Sequence, residues 1–113
     1  MLCLAGSGTG AMEAAVVNLL SPQDTAIVVL GGKFAERWQE LCAAHGMRVV
    51  TVPVAYGDAV DPQRVAAALR AYPEAKAVFT TLLETSTGVV NDIQAIGALT
   101  RGGRTVLVVD AIS

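Results

Sequence analysis

Four short apolar runs limit what this chain can fold into. Thr25 to Leu30 (TAIVVL), Arg48 to Val54 (RVVTVPV), Lys76 to Leu82 (KAVFTTL) and Arg104 to Val109 (RTVLVV) are rich in β-branched residues, with charge only at their first positions. A strand with one face in water alternates apolar and polar residues, whereas a strand covered on both faces reads as a nearly continuous apolar run. The segments between them carry helical signals. Gly8 to Leu20 repeats Met12, Ala15, Val16, Leu19 and Leu20 on one face, and Phe34 to His45 is closed by Gly46 at the C′ position. Asp61-Pro62 opens a helix that must stop before Pro73, and Asn91 or Asp92 caps another that runs to Arg101 and ends at Gly102-Gly103. Ser21 to Asp24 is a turn cluster, and Pro53 marks the end of its strand or an edge. With residues 1–5 as the tail of an earlier strand, the order is βαβαβαβαβ. That order predicts an α/β fold with a mostly parallel sheet, flanking helices and right-handed crossovers.

Composition agrees with buried sheet. The 113 residues suffice for one domain or part of a larger one, and no linker or repeat divides them. They are 53% hydrophobic and 16% charged, with a mean hydropathy of +0.53. A small domain buries only roughly two-thirds of its surface, so this excess calls for two-sided burial or for surface that further structure covers. A net charge of −2 offers no basic footprint for nucleic acid. Cys3 and Cys42 are too few and too unpatterned for a disulfide framework or zinc site; reduced thiols are expected, with Cys42 in a helix core. His45 has no companion ligands and reads as a polar residue at a helix end. No run nears the roughly 20 apolar residues of a membrane span, and Met1 to Ala5 lacks a signal peptide's positive flank. The expectation is a cytoplasmic protein with no membrane partner.

Three motifs fall where strands hand over to loops or helices, the end of a parallel sheet at which ligands bind. In Gly6-Ser7-Gly8-Thr9, small residues let backbone N–H groups approach a phosphate, and the helix that follows adds a favourable dipole. The same glycines match a dinucleotide fingerprint, Gly6-x-Gly8-x-x-Ala11. That reading wants an acid at the end of the next strand, where this chain has Gly31-Gly32. Asp110 follows an apolar strand, so its carboxylate is expected at a buried strand end, where it needs a partner. A protonated pyridine nitrogen would be one, and a cap or turn contact another. Glu84-Thr85-Ser86-Thr87-Gly88 is hydroxyl-rich; Thr85 can donate to a phenolic oxygen or belong to an ordinary polar loop. Phe34 can stack on an aromatic ring, whereas Trp38, one turn later, reads as packing. Together the motifs suit the phosphate, ring hydroxyl and ring nitrogen of pyridoxal phosphate.

The segments GSGTGAMEAAVVNLLSP (6–22), GGKFAERW (31–38), ETSTGVVNDI (84–93) and VLVVDAIS (106–113) resemble, in this order, the class V aminotransferases of fold type I. Within that family they are most like the serine–glyoxylate and alanine–glyoxylate enzymes. The resemblance runs nearly end to end. It implies a pyridoxal-phosphate enzyme, homodimeric at full length, that passes an amino group from serine or alanine to glyoxylate or another 2-oxo acid. It also implies Ser7, Gly8 and Thr9 as phosphate ligands, Phe34 as the stacking ring, Thr85 near the phenolic oxygen and Asp110 on the ring nitrogen. The family's Schiff-base lysine lies beyond the position of Ser113, as does its substrate-binding arginine, and the lysines here are Lys33 and Lys76. Residues 1–113 are thus expected to form the central part of the large cofactor-binding domain, without the catalytic amine. Cysteine desulfurases share the scaffold but typically stack a histidine where this chain has Phe34, and a subunit reported with some hydrogenases is also similar. A truncated, non-catalytic assembly module of the same family is the alternative, followed by a nucleotide-binding α/β domain.

Overall fold

The computed structural model describes residues 8–55, 57–84 and 88–111. The strand expected over residues 1–5 lies outside them. In chain order the elements are α1 (Gly8–Leu19), β1 (Thr25–Leu30), α2 (Lys33–Ala44), β2 (Arg48–Pro53), α3 (Pro62–Ala71), β3 (Ala77–Thr81), β4 (Leu83–Glu84), β5 (Val89–Val90), α4 (Ile93–Thr100) and β6 (Val106–Asp110). Among the described residues, β2, β1, β3 and β6 form a four-stranded parallel sheet in that order.

The local chemistry places the boundaries. Asp61 caps α3 by accepting from the Gln63 N–H at 2.9 Å, with Pro62 at the first helical position. Asp92, rather than Asn91, caps α4, accepting from the Ala95 N–H at 3.0 Å. His45 ends α2, and Gly46 follows at φ +80°, a left-handed turn that glycine takes without strain. Pro53 is the last residue of β2, an edge strand of the described sheet, a position where a missing N–H is tolerated. The polar stretch after β3 departs from expectation. It is flanked by a short antiparallel pair, Leu83 opposite Val90 and Glu84 opposite Val89.

Side chains alternate across a strand, so each central strand feeds two cores. On one face Ala26, Val28, Ala77 and Phe79 meet Met12, Val16 and Leu20 of α1 or its end and Trp38 and Cys42 of α2. On the other, Ile27, Val29 and Val78 meet Val65 of α3 and Ile96 of α4, with Val52 and Val60 beside them. The helix positions follow from crossover handedness. The step from β1 to β2 runs one way across the sheet, and the steps from β2 to β3 and from β3 to β6 run the other. With one hand preserved, α2 must cover one face and α3 and α4 the opposite one. No helix among the described residues is long and apolar enough to cross a membrane.

Candidate functional site

The order of strands switches direction between β1 and β3. β1 hands over through Gly31-Gly32 to α2 on one face, while β3 leads through the β4–β5 pair to α4 on the other. The two exits diverge, and in sheets of this kind ligands bind beyond the carboxyl ends of the strands at such a point. At this end of the sheet, beside β6, Ala11, Met12 and Ala15 of the first two turns of α1 line a cavity of about 160 Å³ with Trp38, Val108 and Asp110. A larger concavity, about 450 Å³, has its named lining on the outer side of α2 alone, including Lys33, Glu36 and Arg37.

Gly8 and Thr9 are the first two residues of α1, so backbone N–H groups without intrahelical acceptors stand at the carboxyl end of the sheet. Phe34 is the second residue of α2, directly after the Gly31-Gly32 turn. The side chains of Thr9 and Phe34, and all of Ser7 and Thr85, lie outside the described residues. Asp110 ends β6 and stands opposite Thr81 of β3, its carbonyl accepting from the Leu82 N–H at 2.9 Å. The expected deep burial of Asp110 needs correction: it is half-buried, because β6 is the edge of the described sheet. It still lines the cavity, alongside the apolar Ala11, Met12, Ala15, Trp38 and Val108. Sequence-predicted positions from α1, α2 and β6 therefore share one end of the sheet.

Trp38 behaves as packing. It is 2% exposed, its ring centroid is 4.7 Å from that of Phe79, and its Nε1–H donates to the Thr80 carbonyl at 3.3 Å. Neither lysine serves the cavity. Lys76 precedes β3 and thus stands at the amino end of the sheet, and Lys33 opens on the outer groove of α2. Burial pushes the Cys42 thiol up to about 11, so it stays protonated at neutral pH and is no nucleophile.

Sequence reasoning missed two residues here. Asn91, expected as a possible helix cap, instead ties loops together. Its Nδ2–H donates to the Thr81 carbonyl at 2.8 Å, its Oδ1 accepts from the Val60 N–H at 3.0 Å, and its own N–H donates to the Leu82 carbonyl at 2.9 Å. These partners are brought together only by folding, so no local pattern announces them. Asn91→Ala is expected to destabilise the protein by about 1–3 kcal/mol, since it strands a buried acceptor and a donor. Urea denaturation checks this, and a loss within about 0.3 kcal/mol would remove Asn91 from the scaffold of the site. The other is Thr81, whose buried hydroxyl, like that of Thr80, has no hydrogen-bond partner. By strand alternation Thr80 shares the face of Val78 and Thr81 that of Phe79.

Comparison with known proteins points the same way. The family described as Aminotransferase class-V matches residues 3–113. The soluble hydrogenase small subunit of Synechococcus sp. (strain PCC 6716) is 40% identical over 116 residues, covering 100% of this chain and 30% of that protein. L-aspartate–glyoxylate aminotransferase of Paracoccus denitrificans (strain Pd 1222) is 38% identical over 92 residues, 80% of this chain and 23% of that enzyme. The crystal structure of pyridoxamine-pyruvate aminotransferase from Mesorhizobium loti superposes with a TM-score of 0.90 at 33% identity, over 96% of this chain and 28% of the other. The chain thus spans about 30% of the length of curated relatives that it matches over its full extent.

Proposed function

Because this chain belongs to the class-V aminotransferase family, whose cofactor is pyridoxal phosphate, we propose that it forms the central, cofactor-cradling part of the large domain. The protein carrying it would transfer an amino group from serine or alanine to glyoxylate or a similar 2-oxo acid. One observation carries the reading: the start of α1, the start of α2 and Asp110 meet at the carboxyl end of the parallel sheet, beside an apolar cavity. What the described residues offer supports the group. An apolar floor suits a planar ring, one carboxylate suits a cationic ring nitrogen, and a helix start suits a phosphate.

In this reading Ser7, Gly8 and Thr9 bind the phosphate through backbone N–H groups and hydroxyls at the start of α1. Phe34 covers one face of the ring and Thr85 donates to its phenolic oxygen. Asp110 holds the proton on the ring nitrogen, because a carboxylate within hydrogen-bond reach favours the cationic form. When bound, pyridoxal phosphate supplies an electron sink for the carbanion formed at the substrate α-carbon. The covalent hold on the cofactor and the proton shuttle call for a lysine outside these 113 residues, since Lys33 and Lys76 both open elsewhere. Homodimerisation of the whole protein, as in the family, belongs to the same proposal.

Glycine formation from glyoxylate with serine or alanine as donor tests the reading. The lysine-bearing protein is expected to turn over, and residues 1–113 alone are not. Appreciable turnover by the 113-residue chain would overturn the assignment of the amine to another segment. A second reading, a non-catalytic assembly module, is supported by the likeness to a protein named as a hydrogenase subunit. It gains if the whole protein binds a larger partner and transfers no amino group to any 2-oxo acid.

A further inference from the structure

We propose that Thr81 is a positioning residue for Asp110, its hydroxyl donating to the carboxylate so that the other oxygen is held toward a cationic ring nitrogen. The inference rests on the reading of Asp110 given above. Thr81 and Asp110 are register partners on the parallel strands β3 and β6. Phe79 and Val108 belong to the same core, so two residues later Thr81 and Asp110 both fall on the α1–α2 side of the sheet. Neighbouring strands lie about 4.8 Å apart, which makes opposed side chains on one face immediate neighbours.

Thr81 is 3% exposed and its Oγ1 has no hydrogen-bond partner. A buried donor left unsatisfied is costly, whereas valine would fill the same space without that cost. A hydroxyl at this position is therefore better explained by an acceptor that it serves. Asp110 takes part in interactions of its own, but a carboxylate offers about four acceptor sites. The bond would form from another of the staggered χ1 wells of Thr81, turned toward one of these sites. A hydrogen bond to an ionised group is stronger than one between neutral groups, and here it would set the angle of the carboxylate.

Thr80 supplies the control, being the next residue on the same strand, 0% exposed and equally unpartnered, but on the opposite face. The experiment is carried out in the lysine-bearing protein with pyridoxal phosphate labelled with ¹⁵N in its ring. It compares Thr81→Val, Thr81→Ser, Thr80→Val and Asp110→Asn by ring-nitrogen chemical shift across pH and by cofactor affinity. Thr81→Val is expected to bind the cofactor roughly tenfold more weakly and to move the nitrogen shift toward the neutral ring. Thr81→Ser should restore both, and Thr80→Val should leave both unchanged.

If Asp110→Asn moves the nitrogen shift and Thr81→Val does not, the positioning role is overturned while the cradle stands. An equal effect of Thr80→Val would likewise overturn it, reducing the change to loss of strand packing. If Asp110→Asn leaves the nitrogen untouched, the underlying reading of Asp110 fails. Should Thr81→Val fold poorly, the serine variant still decides: wild-type signals support the hydroxyl, and the signals of a neutral ring sink it.

Discussion

Replacing Asp110 with alanine in the lysine-bearing protein is expected to weaken pyridoxal-phosphate binding by about 2–5 kcal/mol, as when one member of a hydrogen-bonded charge pair at an interface is removed. The size follows from what remains. The cationic ring nitrogen would face a cavity bordered by Ala11, Met12, Ala15, Trp38 and Val108, with no carboxylate from β6 to compensate it. A ring in that environment sheds its proton, so the electron sink weakens along with the affinity. Cofactor titration by fluorescence measures the first effect, and the rate of the amino-donor half-reaction measures the second. Unchanged affinity would demote Asp110 to a strand-end contact and leave the cavity without its polar anchor.

Phe79→Ala is expected to cost about 3–5 kcal/mol of stability, the range for emptying a large aromatic from a core. Phe79 is 0% exposed on a central strand, between Val28 and Val108 in register and against Trp38. Its loss leaves a void below the indole, whose Nε1–H bond to the Thr80 carbonyl fastens α2 to β3. Net stabilities of domains are commonly about 5–15 kcal/mol, so this one change would consume a large share. Phe79→Leu, which refills part of the volume, should lose clearly less. Chemical denaturation of both variants decides. Equal losses below about 1 kcal/mol would mean that α2 does not pack on the sheet through this pair.

Much of the fold was legible because its signals are local. Thr25 to Leu30 reads as a buried strand from its own residues, Asp61-Pro62 as a helix start, and Gly46 as a helix stop. The candidate site was legible only as positions. Gly8, Phe34 and Asp110 were placed at strand ends by the order of the elements, and the general behaviour of parallel sheets then made those ends converge. The β4–β5 pair was not legible: two residues on each side are too few to show any period. Asp110 was expected to be buried because an apolar strand precedes it, but exposure depends on strand order, and β6 lies at the described edge.

By itself, the sequence determined the class of fold, the boundaries of the longer described elements to within a residue or two, and the family, because propensity, caps and apolar runs act over a few residues. Tertiary structure decided the rest. It set β3 between β1 and β6, divided Phe79 from Thr80 across two cores, turned Asn91 from a candidate cap into a tie between loops, and put a buried hydroxyl opposite Asp110. Each of these depends on which strand lies beside which, and strand pairing joins residues far apart in the chain, where no local pattern can reach.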